Sequence, residues 1–351
     1  MKILCVDTQS SGHHPKYYNS LERNLKGINI VGMFPELDED KNIGQYTLHK
    51  GKDGFSIFNY FRVLLQILKV SKNEHADSIH FLYADYLIRY FGIFLWIFPK
   101  RKMIGTFHHI KRGWLRDFAL RRICGKMKVC IVHTASLKKA LNMMGIQNVV
   151  HIEYPVFFDP KDEGVLPEDV EKIVAETSSK VMLAVGSTRY DKGLDLLLNA
   201  LNKVDMEFKL IIAGRESFLK KEKIKELSKG YSNNVILHLD ELSDEELIGL
   251  YRACDVVVLP YRKVFDGASG PLAEGVFFNK IILGPDHGSL GSLINDNNLG
   301  YTFKTEDIDD LANTIKTALN EEFVFTQKYF EYMKKLSQKE FASQYEGIYR
   351  R

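Results

Sequence analysis

The sequence predicts an α/β protein made of two successive doubly wound parallel-sheet units, and three observations carry that prediction. At 351 residues the chain has room for two domains of about 150 residues each. Short apolar runs alternate with stretches of helical period, the rhythm of a parallel sheet covered on both faces. The rhythm pauses once near the middle and then restarts.

Taken in order, ILCVDT is a strand, followed by a loop over residues 9–15 and a helix from about Lys16. INIVGMF is a second strand, and Phe55 to Val70 repeats apolar residues at helical spacing. SIHFLYAD, MIGTFHHI and KVCIVHT read as buried strands, each leading into a helix. Tyr154 to Pro160 and the acidic stretch Lys161 to Thr177 read as the linker, giving domains 1–158 and 159–329. Strands KVMLAVG, FKLIIAG, NVILHL, DVVVLPY and KIILG follow, with helices over Leu194 to Val204, Lys220 to Lys229, Ser243 to Ala253 and from about Pro271. Ile308 to Leu319 and the Tyr329 to Tyr349 region close the chain as helices.

Composition narrows the classes. With 45% hydrophobic and 26% charged residues, disorder, collagen and coiled coil are excluded. Four cysteines without a CxxC pair point to a reducing compartment. The N-terminus shows no secretory leader, and no apolar run reaches 18 residues, so the expectation is a cytoplasmic protein. Charge is unevenly shared. Residues 1–160 carry 23 Lys+Arg against 13 Asp+Glu, and the remainder carries 25 against 32. Between Phe98 and Lys128 there are ten Lys/Arg and one acid, Asp117. Interleaved with Trp114, Leu115 and Phe118, that stretch is either a solvated helix face or a patch for an anionic membrane surface. No nucleic-acid recognition motif accompanies it, and no nucleic-acid partner is expected.

Two segments carry chemistry. DGASGPLAE at 266–274 follows the strand DVVVLPY directly. Ser269 and Gly270 suit a helix start, and Pro271 suits its first turn. Such a helix aims free amides and its positive end at the strand terminus, where a phosphate can sit. Glu274, one turn in, can accept hydrogen bonds from a ribose or sugar hydroxyl. A plain strand–turn–helix connection would read the same way. GSTRYDKG at 186–193 also follows a strand. Arg189 and Lys192, three apart beside glycine, suit a diphosphate, although solvated loop charges would share the pattern.

Together these segments resemble the nucleotide-sugar domain of GT-B retaining glycosyltransferases, specifically glycosyltransferase family 4. The pattern G-x-x-R-x-x-K-G matches Gly186, Arg189, Lys192 and Gly193, and the signature of a carboxylate, seven residues and a Glu matches Asp266 and Glu274. LSDEELIGLYRACDVVVLPY and PDHGSLGSLI resemble the flanking family stretches. The resemblance covers about 170 residues and implies two Rossmann-like domains facing a cleft, the second binding the donor and the first the acceptor, with a C-terminal helix at 330–351 packing back on the first. Two positions depart from the pattern. Asp266 stands where Glu is usual, which leaves donor choice and turnover open, and Ser187 stands where some members have Arg.

In the first half, TFHH at 106–109 is similar to the family's T-x-H-D/N, which makes His108 the match for its site histidine. His109 stands at the position of the Asp or Asn. Gly12 in the loop SSGHHP matches the family's Gly-rich loop by position, which the resemblance puts among the donor-binding residues, with His13 and His14 as candidates facing the acceptor. Paired histidines raise metal binding, but no third ligand falls at a useful spacing. The acidic triplet Asp38 to Asp40 sits in a polar loop, so no metal and no cofactor is expected.

The resemblance implies transfer of a monosaccharide from a nucleotide-diphosphate sugar to a glycan or lipid-linked hydroxyl, in the synthesis of bacterial cell-surface polysaccharide. Arg189, Lys192 and the amides near Ser269 and Gly270 would hold the diphosphate beside Gly186, Glu274 the ribose, Asp266 the sugar, and His108 the sugar or acceptor. An NAD-dependent oxidoreductase would need G-x-G-x-x-G after the first strand, which SSGHHP does not supply. A nucleotide-sugar-binding scaffold without activity is the remaining alternative.

Overall fold

The computed structural model describes residues 1–10, 13–35, 44–49, 56–99, 102–108, 113–159, 161–265 and 268–351. The chain forms two compact units, residues 1–157 with 338–351, and residues 158–337.

The first unit begins β1 (Lys2–Val6), α1 (His13–Asn24), β2 (Asn29–Phe34), β3 (Tyr46–Thr47), α2 (Ile57–Asn73) and β4 (Ser78–Phe81). It continues through α3 (Asp85–Ile88), β5 (Met103–Phe107), α4 (Trp114–Cys124), β6 (Val129–Val132), α5 (Ala135–Met143) and β7 (Val149–His151). Its seven strands are all parallel, in the order β3-β2-β1-β4-β5-β6-β7. Alternation along β1 sends Leu4 and Val6 to one face and Ile3 and Cys5 to the other. The first face is covered by α2, α3, α4 and α5, contributing Tyr60, Leu64, Leu87, Leu120, Ile123 and Leu141 among others. The second is covered by Tyr17, Tyr18 and Leu21 of α1 and by the last helix of the chain.

The second unit runs α6 (Glu168–Glu176), β8 (Val181–Val185), α7 (Leu194–Leu201), β9 (Lys209–Ala213), α8 (Lys221–Leu227), β10 (Val235–His238) and α9 (Asp244–Ala253). Then come β11 (Val256–Val258), α10 (Gly270–Phe277), β12 (Ile281–Pro285), α11 (Gly288–Asp296), β13 (Gly300–Phe303), α12 (Ile308–Asn320) and α13 (Gln327–Lys335). The six-stranded parallel sheet has the order β10-β9-β8-β11-β12-β13, with the fully buried triplet Val256 to Val258 near its centre. The last helix, α14 (Gln338–Tyr349), belongs to the first unit.

Three expectations are corrected. The acidic stretch read as linker contains α6, whose acidic residues Glu168, Asp169 and Glu171 occupy the first turn, where the helix dipole favours them. His13 and His14 lie in α1 rather than in the loop before it, because Pro15 in a first turn forfeits no helical hydrogen bond. The closing helical region is two helices. Residues 330–337 stay with the second unit, where the buried Tyr329 donates to the carbonyl of Lys280 at 2.7 Å.

Candidate active site

In the second unit two loops leave neighbouring strands, β8 and β11, at the same sheet edge. The first is residues 186–193. Gly186 has φ 117° and lies against Gly214, the residue after β9. Thr188 is buried, donates to the carbonyl of Leu219 at 2.8 Å and accepts from the amide of Ser217 at 2.8 Å. Gly193 has φ 63°, and a Cβ there would stand 2.0 Å from the carbonyl oxygen of Pro260, so both conformation and space require glycine.

The second loop follows β11 and is laced to the first. The Arg262 amide donates to the carbonyl of Asp191 at 3.0 Å, and its guanidinium grips Asp195 of α7 through bonds of 2.9 and 2.7 Å. Further along, Ser269 caps α10, accepting from the amide of Leu272 at 3.3 Å, with Gly270 first in the helix and Pro271 second. The Tyr261 hydroxyl lies 3.4 Å from Ser269 Oγ, and Lys192 Nζ stands 3.8 Å over the Tyr261 ring and 4.5 Å over that of Phe265. Lys192 therefore joins the 186–193 loop to the start of α10.

The electrostatics follow from that enclosure. Burial, followed by the Arg189 charge, pushes the Lys192 amine down to about 7, while Asp191 and Glu274 pull the other way. Arg189 is half exposed and forks onto Asp191 at 2.9 and 2.5 Å. Glu274 accepts from the buried Tyr251 hydroxyl at 2.6 Å, and burial with the Glu274 charge keeps that phenol protonated. Beside Phe265 a small open hollow runs between Arg262 and the start of α11 at His287, Gly288 and Ser289.

Thus Gly186, Arg189, Lys192, Ser269, Gly270 and Glu274 gather at one edge of one sheet. Asp266 lies outside the described residues. The sequence reasoning missed Tyr261, Phe265, Tyr251 and Arg262, although Tyr261 ends the strand DVVVLPY and its ring was bound to emerge near the loop.

The first unit gathers a different cluster. β5 and β6 pair with Phe107 opposite Val132, so His108 and His133, the next residues, emerge side by side with ring centroids 5.1 Å apart. His13 and His14 stack on each other at 4.5 Å and lie 6.0 and 6.3 Å from His108. His14 donates from Nδ1 to Asp7 at 2.9 Å. His108 Nε2 lies 2.9 Å from the carbonyl oxygen of Leu82, which can only accept, so Nε2 carries the proton and Nδ1 the lone pair. Burial, then His133, holds the His108 imidazole well below the ordinary histidine range, so the ring is neutral. Gly12 and His109 lie outside the described residues.

Two Rossmann-like units, each a parallel sheet wrapped by helices on both faces, constitute a GT-B fold, and solved structures share it. A glycosyltransferase from Rickettsia africae ESF-5 superposes with TM-score 0.78 at 18% identity, covering 99% of this chain and 97% of its own. The lipopolysaccharide outer core galactosyltransferase WaaB in its apo form gives 0.74 at 15% identity, with 98% of each chain covered. Anabaena HepE in complex with UDP and glucose gives 0.66 at 17% identity, covering 98% and 95%. Residues 167–340 match the family model described as glycosyl transferases group 1. The chain belongs, through this second unit, to the group 1 glycosyltransferases. A relative from Methanocaldococcus jannaschii, an uncharacterized glycosyltransferase, is 27% identical over 143 residues, which is 40% of this chain and 38% of that protein.

Proposed function

We propose that this protein transfers a monosaccharide, with retention and without a metal ion, from a nucleotide-diphosphate sugar to a hydroxyl of a glycan or lipid-linked acceptor in cell-surface polysaccharide synthesis. The observation that carries the reading is the junction at Lys192. One enclosed amine, the Arg189 guanidinium and the capped start of α10 lie around one strand edge. Fixed positive charge held where a diphosphate departs lowers the barrier without reorganisation, by roughly 3 kcal/mol per donor. Glu274, oriented by Tyr251, is suited to a ribose hydroxyl. Asp266 is assigned the transferred sugar. His108, neutral with a lone pair on Nδ1, can accept a hydrogen bond from a sugar or acceptor hydroxyl. His13, His14 and His109 are assigned to the acceptor side, and Gly12 to the donor.

A thermal-shift panel of UDP, GDP, ADP and TDP, each with and without magnesium, tests the donor site. One diphosphate is expected to raise the melting temperature without metal, by mass action on the folded state. Glu274→Ala and Lys192→Ala should each abolish the shift. The complex of HepE with UDP makes UDP the first to try. No shift with any diphosphate at millimolar concentration would overturn the donor site. A shift without turnover of any sugar nucleotide would replace the transferase with a binding scaffold.

A further inference from the structure

We propose that the face of the first unit built by α2, the turn over residues 91–97, α4 and α5 docks on a bilayer surface rich in anionic phospholipid. The two faces of this sheet are unalike. Among the described residues of this unit, every large apolar side chain that stands exposed, apart from Met1, lies on the face covered by α2 to α5. Phe58 (78%), Trp96 (70%), Trp114 (81%) and Met143 (81%) protrude furthest. The opposite face, under α1 and α14, exposes none among its described residues.

Charge follows the same division. Helices α2, α3, α4 and α5 carry eight Lys/Arg against two acids, Asp85 and Asp117. Helices α1 and α14 carry three of each. The packing that joins the first set is direct. Phe61 of α2 meets Phe94 of the turn at 4.7 Å, and a Cβ on Gly92 would strike Ile123 of α4 at 2.6 Å. The patch expected at residues 98–128 is therefore one part of a larger surface that includes α2 and α5, and Lys100, Arg101, Lys111 and Arg112 lie outside the described residues.

Basic side chains around protruding aromatic and aliphatic ones match a negative headgroup layer over hydrocarbon. The non-aromatic Ile57, Leu65, Leu115 and Met143 suit hydrocarbon better than a single-stranded nucleic acid, whose bases stack on aromatic rings. Tryptophan prefers the headgroup level, apolar at one end and wet at the other. Among the described residues no helix is long and apolar enough to cross a membrane, so the contact is one of lying on the surface.

The protein's only two tryptophans, Trp96 and Trp114, both stand on this face, so its intrinsic fluorescence reports the contact directly. Vesicles of phosphatidylcholine with about one third phosphatidylglycerol should shift tryptophan emission to the blue and co-sediment the protein at least tenfold better than phosphatidylcholine alone. Arg116→Glu with Lys139→Glu should weaken binding by roughly 25-fold or more, at about fivefold per lost charge. Trp114→Ser with Phe118→Ser should weaken it as well. All four side chains are exposed or partly exposed, so melting temperatures should stay within a degree or so of the wild type. Absence of binding, equal binding to both vesicles, or binding indifferent to these variants overturns the proposal. So does a blue shift that grows with protein concentration without lipid, which would make the face a contact between copies, and so does a shift produced by an oligonucleotide but not by vesicles.

Discussion

Lys192 turns the proposed donor site into a pH-sensitive one, and the size of the effect follows from its surroundings. The amine faces the rings of Tyr261 and Phe265, with Arg189, Asp191 and Glu274 the nearest charges. Burial holds its pKa at about 7 in the ligand-free protein. A diphosphate beside it favours the cation, so binding must raise that pKa and take up a proton above pH 7. Only about a tenth of the amines are charged at pH 8, against about nine tenths at pH 6. If the cation alone binds, affinity falls about tenfold across that range, or about 1.4 kcal/mol. The ligand should be a nucleotide-diphosphate sugar, whose bridged phosphates keep constant charge between these values. Titration calorimetry at pH 6 and 8, in buffers of differing ionisation enthalpy, reads affinity and proton uptake together. Lys192→Arg, charged throughout, should flatten the profile to within about twofold. Equal affinity at both pH values with no proton uptake, in a wild-type protein that binds, would refute the reasoning.

Acid should loosen the first unit. Burial, aided by His133, holds His80 at about 3, and burial holds His133 at about 4, both below the ordinary 6.5. The unfolded chain therefore takes up protons first, so the stability is complete above about pH 7 and is lost as pH falls through 6.5 toward the folded values. Between pH 7 and 5 that amounts to about 2 kcal/mol per ring, or about 4 kcal/mol together. Hydrogen exchange of α14 amides at both pH values should show it, and a difference under about 1 kcal/mol would sink the account. Gly193→Ala should cost about 2–4 kcal/mol, from a left-handed backbone and a collision with the Pro260 carbonyl. Gly347→Ala, in α14 with open space around it, should instead be neutral or stabilising by up to about 1 kcal/mol in urea unfolding.

The βα rhythm was legible because fully buried parallel strands are short continuous apolar runs and the helices between them keep a 3.6-residue period. What escaped were short edge strands: β3, β7 and β13 each lie at the end of a sheet order. An edge strand is defined by a single neighbour's ladder, and two to four residues such as Tyr46–Thr47 carry no readable alternation. Helix α6 escaped because its acids suggested a solvated linker, although Val170, Ile173 and Val174 supply an apolar stripe. At the candidate site, the residues legible in sequence were those in spaced patterns, Arg189, Lys192 and Glu274. Arg262 was not legible, because its partner Asp195 is 67 residues away and meets it only through the pairing of β8 with β11. His133 could have been found, since two strands in succession end in histidine and parallel neighbours place such ends together.

A continuous run of hydrogen-bonded side chains crosses the interior of the first unit. The Ile152 carbonyl can only accept, so His133 donates to it from Nδ1 at 2.9 Å and accepts at Nε2 from the Tyr17 hydroxyl at 3.2 Å. Tyr17 then accepts from Tyr345, and Tyr345 from Thr106 at 3.2 Å. Thr106 accepts from His80 Nε2 at 2.8 Å, and His80 Nδ1 accepts from Tyr349 at 2.7 Å. One backbone oxygen and two neutral rings thus fix the direction of six hydrogen bonds. Such a run adds little net stability, since each group exchanges a bond to water for one to protein, yet a single broken link strands buried partners at about 1–3 kcal/mol each. Its value lies in discrimination. Phe341, Tyr345 and Tyr349 stand four apart on one side of α14, so apolar packing alone would hardly tell a helix displaced by one turn from the native one. Phe341 has no hydroxyl, and a displacement that put its ring in the place of Tyr345 would leave Tyr17 and Thr106 without their partner. The register of α14 is therefore set by polar matching over an aromatic contact. Through Tyr17 the same matching holds α1, and with it His13 and His14, against the neutral ring of His108.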